Sequence, residues 1–277
     1  MEKFLILVPH STTHQVVDQC SETRKSNIRV WEDTFKQSDS GFFKDVPVHP
    51  SIKYTFDQLD AVDMKPKYPD PILDIINEDT FTVAEKLYHE GYNPLVLNMA
   101  CDTHPGGGVR KGAFAQEENL LRSSNYYKFL PHVPAFYPIA TDEIIYSPNV
   151  LVFKDKYYNI VRQPFHVACV ACAAIRNPKV CWTVDAVKPR QVFLKDEDYE
   201  LTRRKIASLF QLAYTEGHDS LVLGALGCGA FHNPPEQIAE IFNEFLQKYK
   251  YCFKYICFAV LSVKDHNYEI FSRIIRF

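Results

Sequence analysis

The chain has 277 residues, enough for one large domain or two small ones and for a substantial buried core. Apolar residues make up 46% and charged residues 23%, which argues against wholesale disorder. Thirty-one basic residues against 34 acidic ones leave a net charge of −3, so a nucleic-acid role would need a local basic patch.

No apolar run approaches the ~18–20 residues that span a bilayer. The stretch Met1–His14 has a short apolar run, Phe4–Val8, but neither a basic leader nor a small-residue cleavage site, which argues against a signal peptide. The eight cysteines are scattered, several in strand-like runs. They read as reduced thiols of an intracellular protein, cytoplasmic or nuclear and not secreted.

Phe4–Val8 reads as a short strand, and Ser21–Gln37 as a polar helix followed by Gly41. Residues 44–71 carry five prolines and one short strand near Ile52–Phe56. Residues 1–71 thus read as an irregular N-terminal extension packed on a core, and residues 72–277 as that core, in a single structural unit. Asp79 or Thr80 caps a helix running to about Glu90, with Gly91 where a left-handed residue is wanted. Pro94–Met99 is a buried strand, and a glycine-rich loop at 101–112 leads to helix-forming residues Ala113–Lys128. Val150–Phe153 and Phe165–Cys172 are further strands. Asp198 caps a long helix to Gly217, Ser220–Gly224 is a strand, 225–235 a second glycine-rich loop and Glu236–Tyr249 a helix. Tyr255–Val263 reads as a strand and 266–275 as a last helix. This alternation predicts an α/β fold around a mixed sheet, with both glycine loops at carboxyl ends of strands, where such sheets bind ligands.

The segment Asn98–Tyr127 carries the most chemistry. Gly106, Gly107 and Gly108 remove three consecutive Cβ atoms, and after seven intervening residues come Gln116, Glu117 and Glu118. Singly, a glycine run and acids at a helix start are ordinary structural features. Together they are far more specific. The second loop, Leu223–Pro235, has Gly224, Gly227 and Gly229 ahead of a helix, so its N–H groups can hold a phosphate without a lysine. Pro235 suits the first turn of the helix that follows.

The pattern Gly-Gly-Gly, seven residues, Gln-Glu-Glu resembles the signature of poly(ADP-ribose) glycohydrolases, and Arg122–Ser124 after it resembles the microbial-type branch. The resemblance covers roughly residues 72–263; residues 20–43 are weakly similar to that family's N-terminal helix, and 44–71 are not matched to it. It implies a macrodomain-like three-layer sandwich, a mixed sheet flanked by helices, with an N-terminal extension. It also implies hydrolysis of the ribose–ribose O-glycosidic bond, mainly end-wise, with ADP-ribose as product. Poly(ADP-ribose) and ADP-ribosylated proteins are the implied partners, with no cofactor, metal, membrane or direct nucleic-acid contact. By the same similarity Glu118 is the acid/base, Glu117 orients ribose hydroxyls, Gln116 supports the glutamates and Asn98 is placed to contact the distal ribose. Gly106–Gly108 line the first loop, and Gly227, Cys228, Gly229, Ala230 and Phe231 match the loop that wraps the diphosphate, Phe231 packing on the ligand. Repulsion between Glu117 and Glu118, if their side chains are close, raises a carboxyl toward the working range of an acid.

The chain departs from that family pattern in two places: Cys101-Asp102-Thr103-His104 replaces a stretch usually rich in Ala and Ser, and Cys169–Pro178 differs from the usual Pro-Asn-containing loop. The first departure bears on the ribose pocket. Cys169 and Cys172, with Cys181 further on, are poor metal ligands, because residues three apart on a strand face opposite sides. Asp102 and His104 are too few for a metal site. The basic run Arg203-Arg204-Lys205 reads as a solvated helix face. Two other classes remain: an ADP-ribose-binding macrodomain without catalysis, which need not keep Gln116-Glu117-Glu118, and a mono-ADP-ribosyl hydrolase.

Overall fold

The computed structural model describes residues 12–130, 136–182, 192–262 and 265–277, with side chains from residue 21 onwards. The chain runs α1 (Thr12–Asp39), β1 (Ile52–Thr55), α2 (Phe56–Asp60), β2 (Ile72–Ile76), α3 (Thr80–His89), β3 (Pro94–Met99) and α4 (Gln116–Ser123). It continues through β4 (Glu143–Lys154), β5 (Ile160–Cys172), β6 (Val180–Trp182), β7 (Val192–Leu194) and α5 (Asp196–Thr215). It closes with β8 (Ser220–Leu223), α6 (Pro235–Tyr249), β9 (Tyr255–Ala259) and α7 (Asn267–Ile274).

Seven strands form one sheet in the order β1-β4-β5-β3-β8-β9-β2; β6 and β7 make a separate ribbon. The β1/β4 and β4/β5 pairs are antiparallel, and the pairs from β5 through β3, β8 and β9 to β2 are parallel. Alternate strand residues feed two cores. Leu95, Leu97, Val170, Leu221, Ile256 and Phe258 face the side covered by α2, α5, α6 and α7, where Phe210, Ile238 and Phe242 pack. Val96, Cys169, Ala171, Val222 and Cys257 face the other side, with Phe81 and Leu87 of α3 and Leu120 and Leu121 of α4. These two faces are the layers of the α/β sandwich expected from the sequence. Because β3, β8 and β9 are parallel, their carboxyl ends and the loops that follow lie along one edge.

The N-terminal helix α1 is fastened behind α4. Trp31 and Phe35 pack with Tyr127, at 5.5 and 4.8 Å between ring centroids. Thr34 Oγ1 donates to Arg122 O (2.6 Å) and accepts from Lys154 Nζ (2.8 Å), which also reaches Asp33 Oδ2 (2.6 Å). Asn27 Nδ2 donates to Gly112 O (3.2 Å). Gly112 has φ +72°, and a Cβ there would overlap the carbonyl of Arg24, so the helix and the first loop come together only because this residue has no side chain.

Several boundaries differ from the sequence reading. The helix expected over Ala113–Lys128 ends at Ser123, because Ser124 turns extended and bridges Val152, leaving Tyr126–Lys128 as a separate 3-10 turn. The strands near Val150–Phe153 and Phe165–Cys172 are the inner parts of a long hairpin; Pro164 falls in an irregular stretch of its register, where no ladder N–H is missed. Strand β2 was not foreseen as such, since Asp74 interrupts its apolar run; that carboxylate accepts from Tyr255 OH. Helix α5 starts at Asp196 with Lys195 as N-cap, and Asp198 accepts instead from Lys179 N (2.6 Å). Of the basic run, Lys205 is buried at 3% exposure and donates to Thr141 O (2.7 Å), so it is not part of a solvated face. Asp79 does cap α3, accepting from Phe81 N and Thr82 N. The strand expected at Phe4–Val8 lies outside the described residues, as does Val263.

Candidate active site

A cleft of about 700 Å³ opens along the carboxyl edge of the sheet, lined by residues of both glycine loops, the start of α4 and the segment after β9. Cleft volumes of several hundred Å³ are typical of small-ligand sites.

The loop after β3 must turn back sharply to deliver α4. Gly107, at φ +54°, makes the turn; a Cβ on it would sit 2.5 Å from Glu118 Oε1 and 2.9 Å from Glu117 Oε2. The first turn of α4 then brings Gln116, Glu117 and Glu118 against that loop. Glu117 is 3% exposed. Its Oε2 accepts from Cys101 N (2.8 Å), and its Oε1 from Gly106 N (3.3 Å) and Asn98 Nδ2 (3.4 Å). Glu118 is 6% exposed; Oε1 accepts from Gly108 N (2.8 Å), while Oε2 is buried without a partner among the described residues. Gln116 turns away from the glutamates: Oε1 accepts from Met99 N (3.0 Å), and Nε2 donates to Leu97 O (2.7 Å) and Thr80 Oγ1 (3.3 Å). It locks the head of α4 onto the end of β3. Asn98 is fully buried; its amide also faces Tyr126 OH (3.5 Å), and its Oδ1 has no partner among the described residues.

Behind the glutamates lies Arg122, at 0% exposure. It donates to Ala113 O (2.6 Å), Asn119 Oδ1 (2.6 Å) and Tyr158 OH (3.1 Å). These bonds fix the residues between the glycine run and α4, and so the angle at which both glutamates enter the cleft.

Burial pushes the Glu117 carboxyl up to about 8, against the pull of its bonds from Cys101, Asn98 and Gly106; the charge of Glu118 adds to the rise. The carboxyl so raised is Glu117, the residue expected to orient ribose hydroxyls, and burial rather than the neighbouring charge is the larger cause. A carboxyl raised on folding costs stability as it ionises, so stability falls as pH rises from the unfolded value near 4.5 to about 8, and levels off above. Glu117→Gln removes that titration. Urea unfolding at pH 5 and pH 8.5 should show the wild type losing stability, by roughly a few kcal/mol, relative to the variant. Parallel pH profiles for the two proteins would refute the assignment.

The second loop is held from beneath by Asn233, whose Nδ2 donates to Ile175 O (2.8 Å) and Gly227 O (3.1 Å). Gly227, Gly229, Ala230 and Phe231 line the cleft. Cys228 does not: its Sγ turns to Leu226 O (3.7 Å), and burial pushes the thiol up, which leaves it unsuited to act as a nucleophile. Cys169 and Cys172 belong to opposite cores, so they cannot bind one ion together. Among the described residues, no group of three or more His, Cys, Asp or Glu could hold a metal, and no helix is long and apolar enough to cross a membrane.

The structure thus brings Gly107, Gly108, Gln116, Glu117, Glu118, Gly227, Gly229, Ala230 and Phe231 to one cleft; of the other expected residues, Asn98 and Gly106 stand behind the wall, bonded to Glu117, and Cys228 turns inward. Sequence reasoning missed Arg122 and Asn233 as supports, Tyr126 and Thr80 as neighbours, and Arg176, which lines the cleft from the loop after β5.

Fold and cleft together define an α/β domain whose ligand site has a paired-carboxylate end and a glycine-loop end. The model of the family described as microbial-type PARG, catalytic domain, matches residues 8–155, just over half of the chain, and the chain belongs to that family. The match includes the first glycine loop and both glutamates. No curated protein matches the chain in sequence. Among solved structures, that of poly(ADP-ribose) glycohydrolase (PARG) from Thermomonospora curvata is 27% identical, with a TM-score of 0.76 over 90% of this chain and 99% of that one. The same organism's enzyme bound to the inhibitor ADP-HPD is 26% identical, with a TM-score of 0.72 and the same coverage. PARG from Deinococcus radiodurans in complex with ADP-ribose is 27% identical, with a TM-score of 0.69 over 80% of this chain and 93% of that one.

Proposed function

We propose that this chain is a poly(ADP-ribose) glycohydrolase that cuts the ribose–ribose O-glycosidic bond, mainly end-wise, and releases ADP-ribose. The observation that carries the reading is the state of Glu118 in a cleft of this family: one oxygen pinned by Gly108 N–H, the other buried and unpartnered beside Glu117. A group meant to exchange a proton with substrate needs one fixed oxygen and one free one.

In this reading the distal ribose lies against Glu117, which Asn98 holds from behind, with its C1″ facing Glu118 Oε2. Glu118 gives its proton to the departing ribose oxygen as the C1″–O bond breaks, through an oxocarbenium-like transition state. Water then adds its oxygen to C1″ and returns a proton to Glu118. Glu117 orients the ribose hydroxyls, and Gln116 keeps α4 against β3. Gly106–Gly108 and the loop Gly227, Cys228, Gly229, Ala230 and Phe231 hold the ADP-ribosyl unit, the second loop through backbone N–H groups on the diphosphate. Residues 1–71 act as an extension of the 72–277 core within one structural unit. We place the protein inside the cell, acting on poly(ADP-ribose) carried by modified proteins.

The test is incubation of the protein with poly(ADP-ribose), with and without chelator, followed by identification of products. Free ADP-ribose as the main product, chelator or not, is expected. Oligomers as the main product would overturn end-wise release. Binding of ADP-ribose without any cleavage would make the chain a reader of the modification, and a wild type silenced by the chelator would point to metal-dependent ADP-ribosyl hydrolysis.

A further inference from the structure

The two segments in which the chain departs from its family's pattern meet at the mouth of the cleft. Arg176, from the loop after β5, donates through Nη2 to Asp102 Oδ1 (2.7 Å) and lies 3.7 Å from Cys101 Sγ. Its guanidinium carbon stands 4.2 Å from the centroid of the Phe231 ring. Both ends of this clasp are anchored: Ile139 N donates to Asp102 O (2.8 Å), and Asn177 N to Phe231 O (2.9 Å). Cys101, adjacent to Asp102, is the residue whose N–H holds Glu117, so the clasp stands beside the glutamates, where the bond to be cut must lie.

Stability does not account for the arrangement. The side chains of Arg176 and Asp102 are 45% and 35% exposed, and ion pairs open to water contribute little. Only Nη2 is engaged; Nε and Nη1 have no partner among the described residues. Asp102 on one edge and Phe231 on one face fix the plane of the guanidinium and leave the Nε–H and Nη1–H donors in that plane free to meet phosphate oxygens. Among the described residues the cleft is otherwise lined by the carboxyl groups of Asp79, Glu117, Glu118 and Asp265, and the one other permanent cation on its wall is Arg24 of α1. A polyanionic chain leaving beside Glu118 needs a positive charge there.

We propose that Arg176, aimed by Asp102 and Phe231, binds the group on the far side of the scissile bond: a diphosphate-bearing nucleotide, the next unit of the polymer. The assignment rests on the glycohydrolase reading above and names the chemistry of its leaving group. Arg176→Ala removes these donors, and Arg176→Lys keeps the charge without the planar donor set. Three ligands separate the roles: poly(ADP-ribose), an ADP-ribose carrying a neutral O-alkyl group at C1″, and free ADP-ribose. The alanine variant should raise KM for the polymer by about tenfold and flatten its salt dependence, with kcat little changed. Hydrolysis of the neutral glycoside and calorimetric affinity for ADP-ribose should stay within about twofold, and the lysine variant should recover part of the polymer KM. Equal losses on polymer and neutral glycoside would overturn the proposal, leaving Arg176 as a support for Phe231 alone; so would an unchanged polymer KM. A wild type that releases nothing from either substrate overturns the glycohydrolase reading itself, an outcome visible before any variant is made.

Discussion

Glu118→Gln should lose turnover of poly(ADP-ribose) by about 10²–10⁴-fold or more while keeping its affinity for ADP-ribose. The amide fills the same space and its oxygen can still accept from Gly108 N–H, now 2.8 Å from the carboxylate. Its NH2 group then occupies the place of the unpartnered oxygen, and it can neither deliver a proton to a leaving ribose nor take one from water. Free ADP-ribose carries no leaving group, so its binding does not use that proton. Single-turnover rates of ADP-ribose release, set beside calorimetry on the same preparations, separate the two effects. Near-wild-type release by the variant would remove Glu118 from the chemistry; loss of binding along with rate would make it a ligand contact instead.

Gly107→Ala should be nearly as damaging, without touching any group that does chemistry. The added methyl would lie 2.5 Å from Glu118 Oε1 and 2.9 Å from Glu117 Oε2, and neither carboxylate can step back, since each is held by backbone N–H groups of the same loop. Displacement of a reacting group by an ångström costs on the order of 10²-fold in rate. The backbone penalty is smaller: φ of +54° is in the left-handed region, which costs a non-glycine residue about 1–2 kcal/mol, and a domain of ordinary stability survives that. The expected outcome is a folded protein, melting a few degrees lower, with a turnover loss of roughly 10²-fold. A variant with wild-type turnover would show that the loop yields more easily than its bonds imply.

The glycine run and the Gln-Glu-Glu triplet were legible because they are local: seven residues of loop bring the two ends together on one strand-to-helix turn. Helices α3, α5 and α6 were legible for the same reason, from capping residues, a bounding glycine or a proline in the first turn. Contacts that depend on strand order were not. Arg176 and Asp102 are 74 positions apart and meet because β5 lies beside β3 in parallel, a pairing that no local pattern encodes. Asn233 has no role that its sequence position suggests, yet its amide knots the second glycine loop to Ile175 O. The length of α4 was overread because its sequence stays helix-forming past Ser123; Ser124 leaves the helix to pair with Val152, and the fold overrides the propensity.

Strand β2 lies at the edge of the sheet and pairs only with β9, so residues 72–76 wait for residues 255–259 before their backbone is satisfied on either side. On a ribosome, this leaves an open strand edge until residues 255–259 emerge, a period in which the nascent chain is exposed to mispairing. The wall of the cleft after β9, including Val260 and Asn267, arrives with the same event. Competence to bind is therefore gained in one step, when this segment folds, rather than built up along the chain. A chain cut before residue 255 loses both the pairing of β2 and one side of the ligand site at a stroke.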